Sequence, residues 1–490
     1  MAGSVSKKYC ISFCCTGRTP RRAILHSLVL ASGLAAGIAI ISPVSMAQSA
    51  AATGERPDST VQLVQPSGPG DATPPITITL QDALERARKN DPQFLAAVGD
   101  AKSAHEDRLQ ARNAMLPSVT ESTQYLNTQG NGQTPEGRFV TNDGVHVYRE
   151  WAVMREDLSP NTYMFTGLHH AGAAEAIASA KAEIARRGLT VTVTKLYYDV
   201  TSSQRKYATA QQALDQAKHI FDITGDAERL GQTAHSDVVK AEIQYRQQQQ
   251  AFDEARLAME DARLALAVLL FPTLNENFTV VDDLDSAAAL PAFPEIQSMA
   301  AKGNPDLRVA MESLRAADLD VSAAKGSFLP ALSIETDYGI EANDFALHSV
   351  VKAYPQLGPL PTLGYFLTAN LTIPVWDWGT MRSKLHQSEY REEQARVELS
   401  RAQRGMLSNL YSTYNEAAVA RGVVESSRHT ADLAAESLRL VTLRYQAGES
   451  TGLETVDAEN TLIAARNAYD DAQVRYRVAL ANLQTLTGNF

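Results

Sequence analysis

The chain has 490 residues, of which 44% are hydrophobic and 21% charged, and its formal net charge is −11. An acidic balance of this size argues against nucleic acid or anionic lipid headgroups as the main partner. Its three cysteines, Cys10, Cys14 and Cys15, sit near the start, which excludes disulfides and thiolate metal sites from the rest of the chain.

Residues 1–47 have the layout of a secretory signal peptide. Lys7, Lys8, Arg18, Arg21 and Arg22 precede an apolar run from Ala23 to Ile41, and Ser45-Met46-Ala47 offers small residues for cleavage. Ser32, Gly33, Gly37 and His26 interrupt the run, which weighs against a membrane anchor. That leader holds basic residues and no acidic ones, so its removal leaves a still more acidic chain. No cysteine lies beside the cleavage site to carry a lipid. Residues 48–75, rich in Ser, Ala, Pro and Gly, read as a flexible linker. No later segment has an uninterrupted apolar stretch of ~18 residues, so no transmembrane helix is expected; a β-barrel remains a route into a membrane.

Beyond the linker the chain contains itself twice. Asn90-Asp91-Pro92 and Leu116-Pro117-Ser118 return as Asn304-Pro305-Asp306 and Leu329-Pro330-Ala331, with matching prolines 213 positions apart. Gly231, Asp237, Ala241-Glu242 and Leu266 return as Gly448, Glu454, Ala458-Glu459 and Leu483, now 217 apart. This pattern is a tandem duplication with a four-residue insertion, expected as repeats 76–290 and 291–490. Each unit far exceeds the ~20–50 residues of a solenoid repeat.

The helices come from composition and period. From about residue 168 to 271, and again from about 380 to the C-terminus, Ala, Gln, Glu, Arg and Leu dominate. Leu462, Ala465, Tyr469, Ala472, Tyr476, Ala479, Leu483 and Leu486 alternate three and four apart, the spacing of a coiled-coil seam. Tyr245, Gln248, Phe252, Ala255, Met259, Ala262, Leu266 and Leu269 repeat it in the first half. Gly231 and Gly448 interrupt these blocks and mark where each helix turns back. Residues 169–230 as one helix would run ~93 Å, beyond the span of one domain or one bilayer.

Between the helices the period drops to two. Leu332, Ile334, Thr336, Tyr338 and Ile340 alternate with Ser333, Glu335, Asp337, Gly339 and Glu341. Tyr365, Leu367, Ala369, Leu371 and Ile373 alternate with Phe366, Thr368, Asn370 and Thr372. Strands are expected at about 331–341 and 364–374, each long enough for a tilted transmembrane β-strand; an ordinary half-buried hairpin is the alternative. The first-half strands, about 118–127 and 145–158, carry Glu121, Arg149, Glu150, Arg155 and Glu156, which leaves their lipid-facing register open. Four strands cannot close a barrel and an open edge cannot sit in lipid, so several chains must contribute to one barrel.

At these residues the chain resembles the TolC-like outer membrane efflux proteins, over roughly 76–488. The carriers are Ile78-Thr79-Leu80-Gln81-Asp82-Ala83-Leu84, the paired Asn/Pro and Leu-Pro marks, Ile373-Pro374-Val375-Trp376-Asp377-Trp378-Gly379, and Arg444-Tyr445-Gln446-Ala447-Gly448. The resemblance implies a mainly α fold with a small β part. In it, a homotrimeric α-helical barrel of long coiled-coil helices crosses the periplasm and continues into a 12-stranded β-barrel, four strands per protomer. It implies an outer membrane location with a periplasmic extension, contact with outer membrane lipid, and partners in a periplasmic adaptor (a membrane fusion protein) and an inner-membrane pump. The junction Leu158-Ser159-Pro160-Asn161 departs from the family's Gly-rich form.

The same resemblance locates a periplasmic gate at the helix tips. Glu454 and Asp457 match the family's acidic constriction, and Asp237 with Tyr445 matches its latch, although Ser450 stands where the latch arginine would be. A hydrogen bond from Tyr445 to Asp237 is the expected remnant of that latch. Leu230-Gly231-Gln232 and Ala447-Gly448-Glu449 mark the adaptor-contact tips. The bland reading of the acids is solvated helix charge. His169-His170 cannot share a helical face, so no metal site is expected. No nucleophile–base pattern or phosphate loop is present, so neither catalysis nor a cofactor is expected. The function implied is a passive exit channel for an efflux or secretion system; the alternative is a periplasmic coiled-coil adaptor without its own pore. Cargo is left open among drugs, metals and polypeptides.

Overall fold

The computed structural model describes residues 75–127, 146–272, 277–286, 288–342, 347, 362–447, 449–450 and 452–488. The expected signal peptide, nearly all of the linker, and Gly448 lie outside the described residues. Elements follow the order β-α-α-β-β-α-α twice, with one extra short helix in the first round. The first round is β1 (Ile76–Ile78), α1 (Leu80–Asn90), α2 (Pro92–Asn113), β2 (Ser118–Asn127), β3 (His146–Asp157), α3 (Pro160–Tyr163), α4 (Thr166–Arg229) and α5 (His235–Leu270). The second is β4 (Phe278–Val280), α6 (Phe293–Gly303), α7 (Pro305–Gly326), β5 (Ala331–Ala342), β6 (Leu363–Thr372), α8 (Thr380–Gln446) and α9 (Gly452–Thr487).

The repeated sequence marks have local physical causes. Ile78 is buried and pairs with Val280, joining β1 to β4. Thr79 then closes a capping box with Asp82: the Asp82 amide donates to Thr79 Oγ1 at 3.2 Å and the Thr79 amide to Asp82 Oδ2 at 3.1 Å. Asp91 and Asn304 cap α2 and α7, accepting from the amides of Phe94 (2.6 Å) and Leu307 (2.9 Å), each with proline at the first helical position. The Asn90 amide also donates to the Leu270 carbonyl at the end of α5. Asn304 is buried, so Asn304→Ala is expected to cost about 1–2 kcal/mol, the upper part of the N-cap range. The denaturant midpoint of the full chain measures it, and an unchanged midpoint refutes the assignment.

One compact core surrounds the small parallel sheet. Ile78, Ala83 and Ala87 meet Val193, Tyr197 and Tyr198 of α4, Leu266 and Leu270 of α5, and Phe278 and Leu284. The Tyr197 hydroxyl donates to the carbonyls of Ile78 (3.2 Å) and Val281 (2.7 Å), and burial pushes its pKa up to about 12. Below this core α4 continues as one helix of 64 residues, and α8 has 67. The α9 seam is buried at Leu462, Ala465, Ala472, Tyr476, Ala479 and Leu483, packing on α8. On α5, Tyr245 stacks on Phe221 and Phe252 meets Tyr207, both on α4.

The four longer strands form one antiparallel sheet in the order β2-β3-β5-β6, so β2 and β6 are its edges. Leu332 lies opposite Leu371, Thr336 opposite Leu367, and Tyr338 opposite Tyr365, which makes one apolar face across β5 and β6. Pairing of β3 with β5 fixes the register that sequence left open. Glu150 and Glu156 lie opposite Ile340 and Ile334, so the apolar face is continuous on β5–β6 and interrupted on β2–β3. The other face carries two ion pairs joining the halves, Arg149–Glu341 at 2.8 Å and Arg155–Glu335 at 2.5 Å. Gln124 of β2 accepts from Arg149 at 3.1 Å.

Both strand-to-helix junctions use a large residue in the left-handed region, Phe165 (φ 55°) before α4 and Trp378 (φ 57°) before α8. Strain at Trp378 is offset by Asp377, whose carboxylate accepts from the amides of Gly379 (3.0 Å) and Met381 (2.5 Å). That cap explains why Asp377 sits between two tryptophans in the motif. Among the described residues, no helix is long and apolar enough to cross a membrane.

Candidate functional site: the helix tips

At the first tip, α4 ends in a Schellman motif. Gly231 adopts φ +73°, its amide donates to Glu228 O at 2.8 Å, and the Gln232 amide donates to Ala227 O at 2.8 Å. The second tip repeats the outer bond, Glu449 amide to Arg444 O at 2.8 Å. Leu230 is 72% exposed and Ala447 and Glu449 are also exposed. Each tip thus presents a tight backbone turn to solvent, with the next helix starting within a few residues.

Asp237 lies in the first turn of α5, where a carboxylate is favoured by the helix dipole. It accepts from Thr233 Oγ1 at 3.3 Å and pairs with Lys240 Nζ at 3.5 Å. The expected bond to Tyr445 is therefore not formed; Asp237 is satisfied within its own turn. Both residues nevertheless line one cavity of about 440 Å³ between the two helix pairs, with Ile220, Gln244 and Val456. The Tyr445 ring packs 3.8 Å from the position of a Cβ at Gly452.

Glu454 and Asp457 stand on α9 with exposed side chains. Ser450 Oγ donates to Glu454 Oε2 at 2.7 Å, and Arg444 approaches the same oxygen at 4.0 Å. Sequence reasoning singles out Ser450 only as the place of a missing arginine, names Arg444 only within a motif and not as a partner of Glu454, and does not find Lys240. The cationic partners come from one turn earlier on α8 and from within α5, a proximity that only the turn geometry creates. Further up α9, Asn460 accepts from Gln248 (3.0 Å) and Gln244 (3.5 Å) of α5. Its neighbour Glu459 has its pKa raised by burial. Among the described residues no cluster of metal-ligating side chains is present.

The fold matches known proteins. The model of the family described as outer membrane efflux protein matches residues 296–489. Outer membrane protein TolC of Vibrio cholerae serotype O1 is 22% identical over 425 residues, 84% of this chain and 90% of that protein. The alkaline protease secretion protein AprF of Pseudomonas aeruginosa is 21% identical over 426 residues, covering 84% and 85%. The crystal structure of the Campylobacter jejuni CmeC outer membrane channel superposes with a TM-score of 0.69 at 16% identity, again over 84% of this chain and 85% of that one. Residues 296–489 thus match the outer membrane efflux protein family, and the chain is similar to TolC-like proteins along most of its length and shares the fold of outer membrane channels.

Proposed function

We propose that this outer membrane protein is the exit channel of a tripartite efflux or secretion system, a passive conduit gated at its periplasmic helix tips. One observation carries the reading: a four-stranded sheet with 10–12-residue strands, an apolar face on β5–β6 and two open edges. An open edge in lipid leaves backbone groups unpaired at several kcal/mol each, so copies of the chain must pair edge to edge. Three copies give the family's twelve strands, and three sets of long helices continue the tube through the periplasm. The repeated element order supports a duplication after a leader and linker, with the second copy opening at β4 rather than at residue 291. Arg149, Arg155, Glu335 and Glu341 then face the lumen. Glu454 and Asp457 form the constriction, Asp237 and Tyr445 brace it, and the tips expected at Leu230-Gly231-Gln232 and Ala447-Gly448-Glu449 meet a periplasmic adaptor. Energy comes from an inner-membrane pump, and the chain performs no covalent chemistry.

The test is the full-length protein extracted in mild detergent. Trimers by mass, with discrete cation-preferring conductance in planar bilayers, are expected. A monomer that passes no ions overturns the reading.

A further inference from the structure

We infer that Arg205 is the positioning residue of the gate: it pins α9 to α4 and so sets the level from which the α8–α9 pair swings. The inference rests on the gate reading above and adds where the moving arm begins.

Arg205 lies just below the buried core of α4, whose last buried members before it are Thr201 and Ser202. All five guanidinium N–H donors are used. Nε donates to Asp282 at 2.6 Å, Nη2 to Asp282 and Asp285 at 2.8 Å each, and Nη1 to Asp470 at 2.9 Å and Gln473 at 3.4 Å. Asp282 and Asp285 belong to the segment between β4 and α6, whereas Asp470 and Gln473 belong to α9. Gln473 completes the ring by donating to Asp285 Oδ1 at 2.6 Å. Beside it, Lys206 pairs with Asp471 at 2.5 Å. Burial opposes the Arg205 charge, but its bonds to three carboxylates outweigh that and hold its pKa above the ordinary range. Burial also raises the pKa of Asp470, whose side chain is 12% exposed. The knot is partly desolvated, where charge-assisted bonds are strong and a lost partner is felt.

Towards the tips the polar ties between the two helix pairs become fewer. Among the described residues, the polar ties from α4–α5 to α9 below Tyr469 are the amide bonds of Gln244 and Gln248 to Asn460. Below those lies the cavity of about 440 Å³. A strongly tied level therefore stands above a weakly tied arm. From Gly452 to Asp470 that arm spans about 27 Å of helix at ~1.5 Å per residue. Without the Arg205 tie the arm lengthens upward, and the same angular swing moves the tips further.

The experiment uses full-length trimers of Arg205→Gln and Asp470→Asn in planar bilayers. Each substitution is expected to raise spontaneous opening about tenfold, equivalent to ~1.4 kcal/mol of lost closed-state bias. The double variant should open no more than either single one, because both remove one tie. Half-blocking cation concentration should stay at the wild-type value, which a general loosening of the fold would not preserve. Arg205→Lys, with one compact charge instead of a fork, should fall between. Wild-type opening in assembled trimers of both variants overturns the inference. If Arg205→Gln does not assemble, Asp470→Asn decides alone by the same two outcomes. A wild-type protein that never conducts defeats the channel reading itself, before any variant is compared.

Discussion

Gly339→Ala is expected to abolish assembly of the membrane sheet. A Cβ on Gly339 would lie 1.9 Å from the Glu150 carbonyl oxygen and 2.9 Å from Trp151 Cα, both backbone atoms with no rotamer to yield. Relief requires parting β3 from β5, the seam that joins the two hairpins of the four-stranded sheet. The cost should exceed the ~1–3 kcal/mol of ordinary overpacking, because the obstacle is main chain. Rings of Trp151 and Phe366, with centroids 5.1 Å apart, lie on the face that carries this glycine and its partner Gly364. Gly364 is the control: a Cβ there meets nothing within 4 Å, so Gly364→Ala should stay within about 0.5 kcal/mol. The oligomer fraction in detergent separates them. Wild-type assembly of Gly339→Ala would show that the seam is looser than drawn.

The second large effect is on ion block. Replacing Glu454 by Gln and Asp457 by Asn keeps the shapes and removes two carboxylates per chain, six in the proposed trimer. A divalent cation ~6 Å from one carboxylate gains ~1.4 kcal/mol in water, about a factor of ten in affinity. Screening by salt reduces the sum of six such terms, yet block should still weaken at least tenfold. The half-blocking concentration of a divalent cation in bilayer recordings is the readout. If it does not move, these acids lie away from the constriction.

What the chain discloses before folding depends on how local each cause is. The α9 seam was legible because alanine and large residues recur at a helical period along one element. Strands β5 and β6 were legible because one face is apolar without interruption. Strands β2 and β3 were placed, but their lipid-facing register was not legible: Glu121, Glu150 and Glu156 break the alternation, and Arg149 and Arg155 find Glu341 and Glu335 from the other half. The first tip glycine announced its turn, since a left-handed residue ends a helix wherever it stands. Partners at the tips did not. Ser450, Arg444 and Lys240 acquire meaning only once the turns bring them to Glu454 and Asp237. Arg205 is the extreme case, for its acceptors stand at 282, 285 and 470. No window of sequence contains them all.

The salt-linked joint between β3 and β5 also dictates timing. Arg149 must wait for Glu341, 192 residues later in synthesis, so the ribbon's central hydrogen bonds form only after most of the polypeptide exists. Long-range pairing of this kind is slow and leaves sticky edges bare in the interval. Helix hairpins, whose contacts are near neighbours, have no such delay. The four-stranded ribbon is therefore among the last parts of the chain to be completed, after helices whose partners lie close by in sequence.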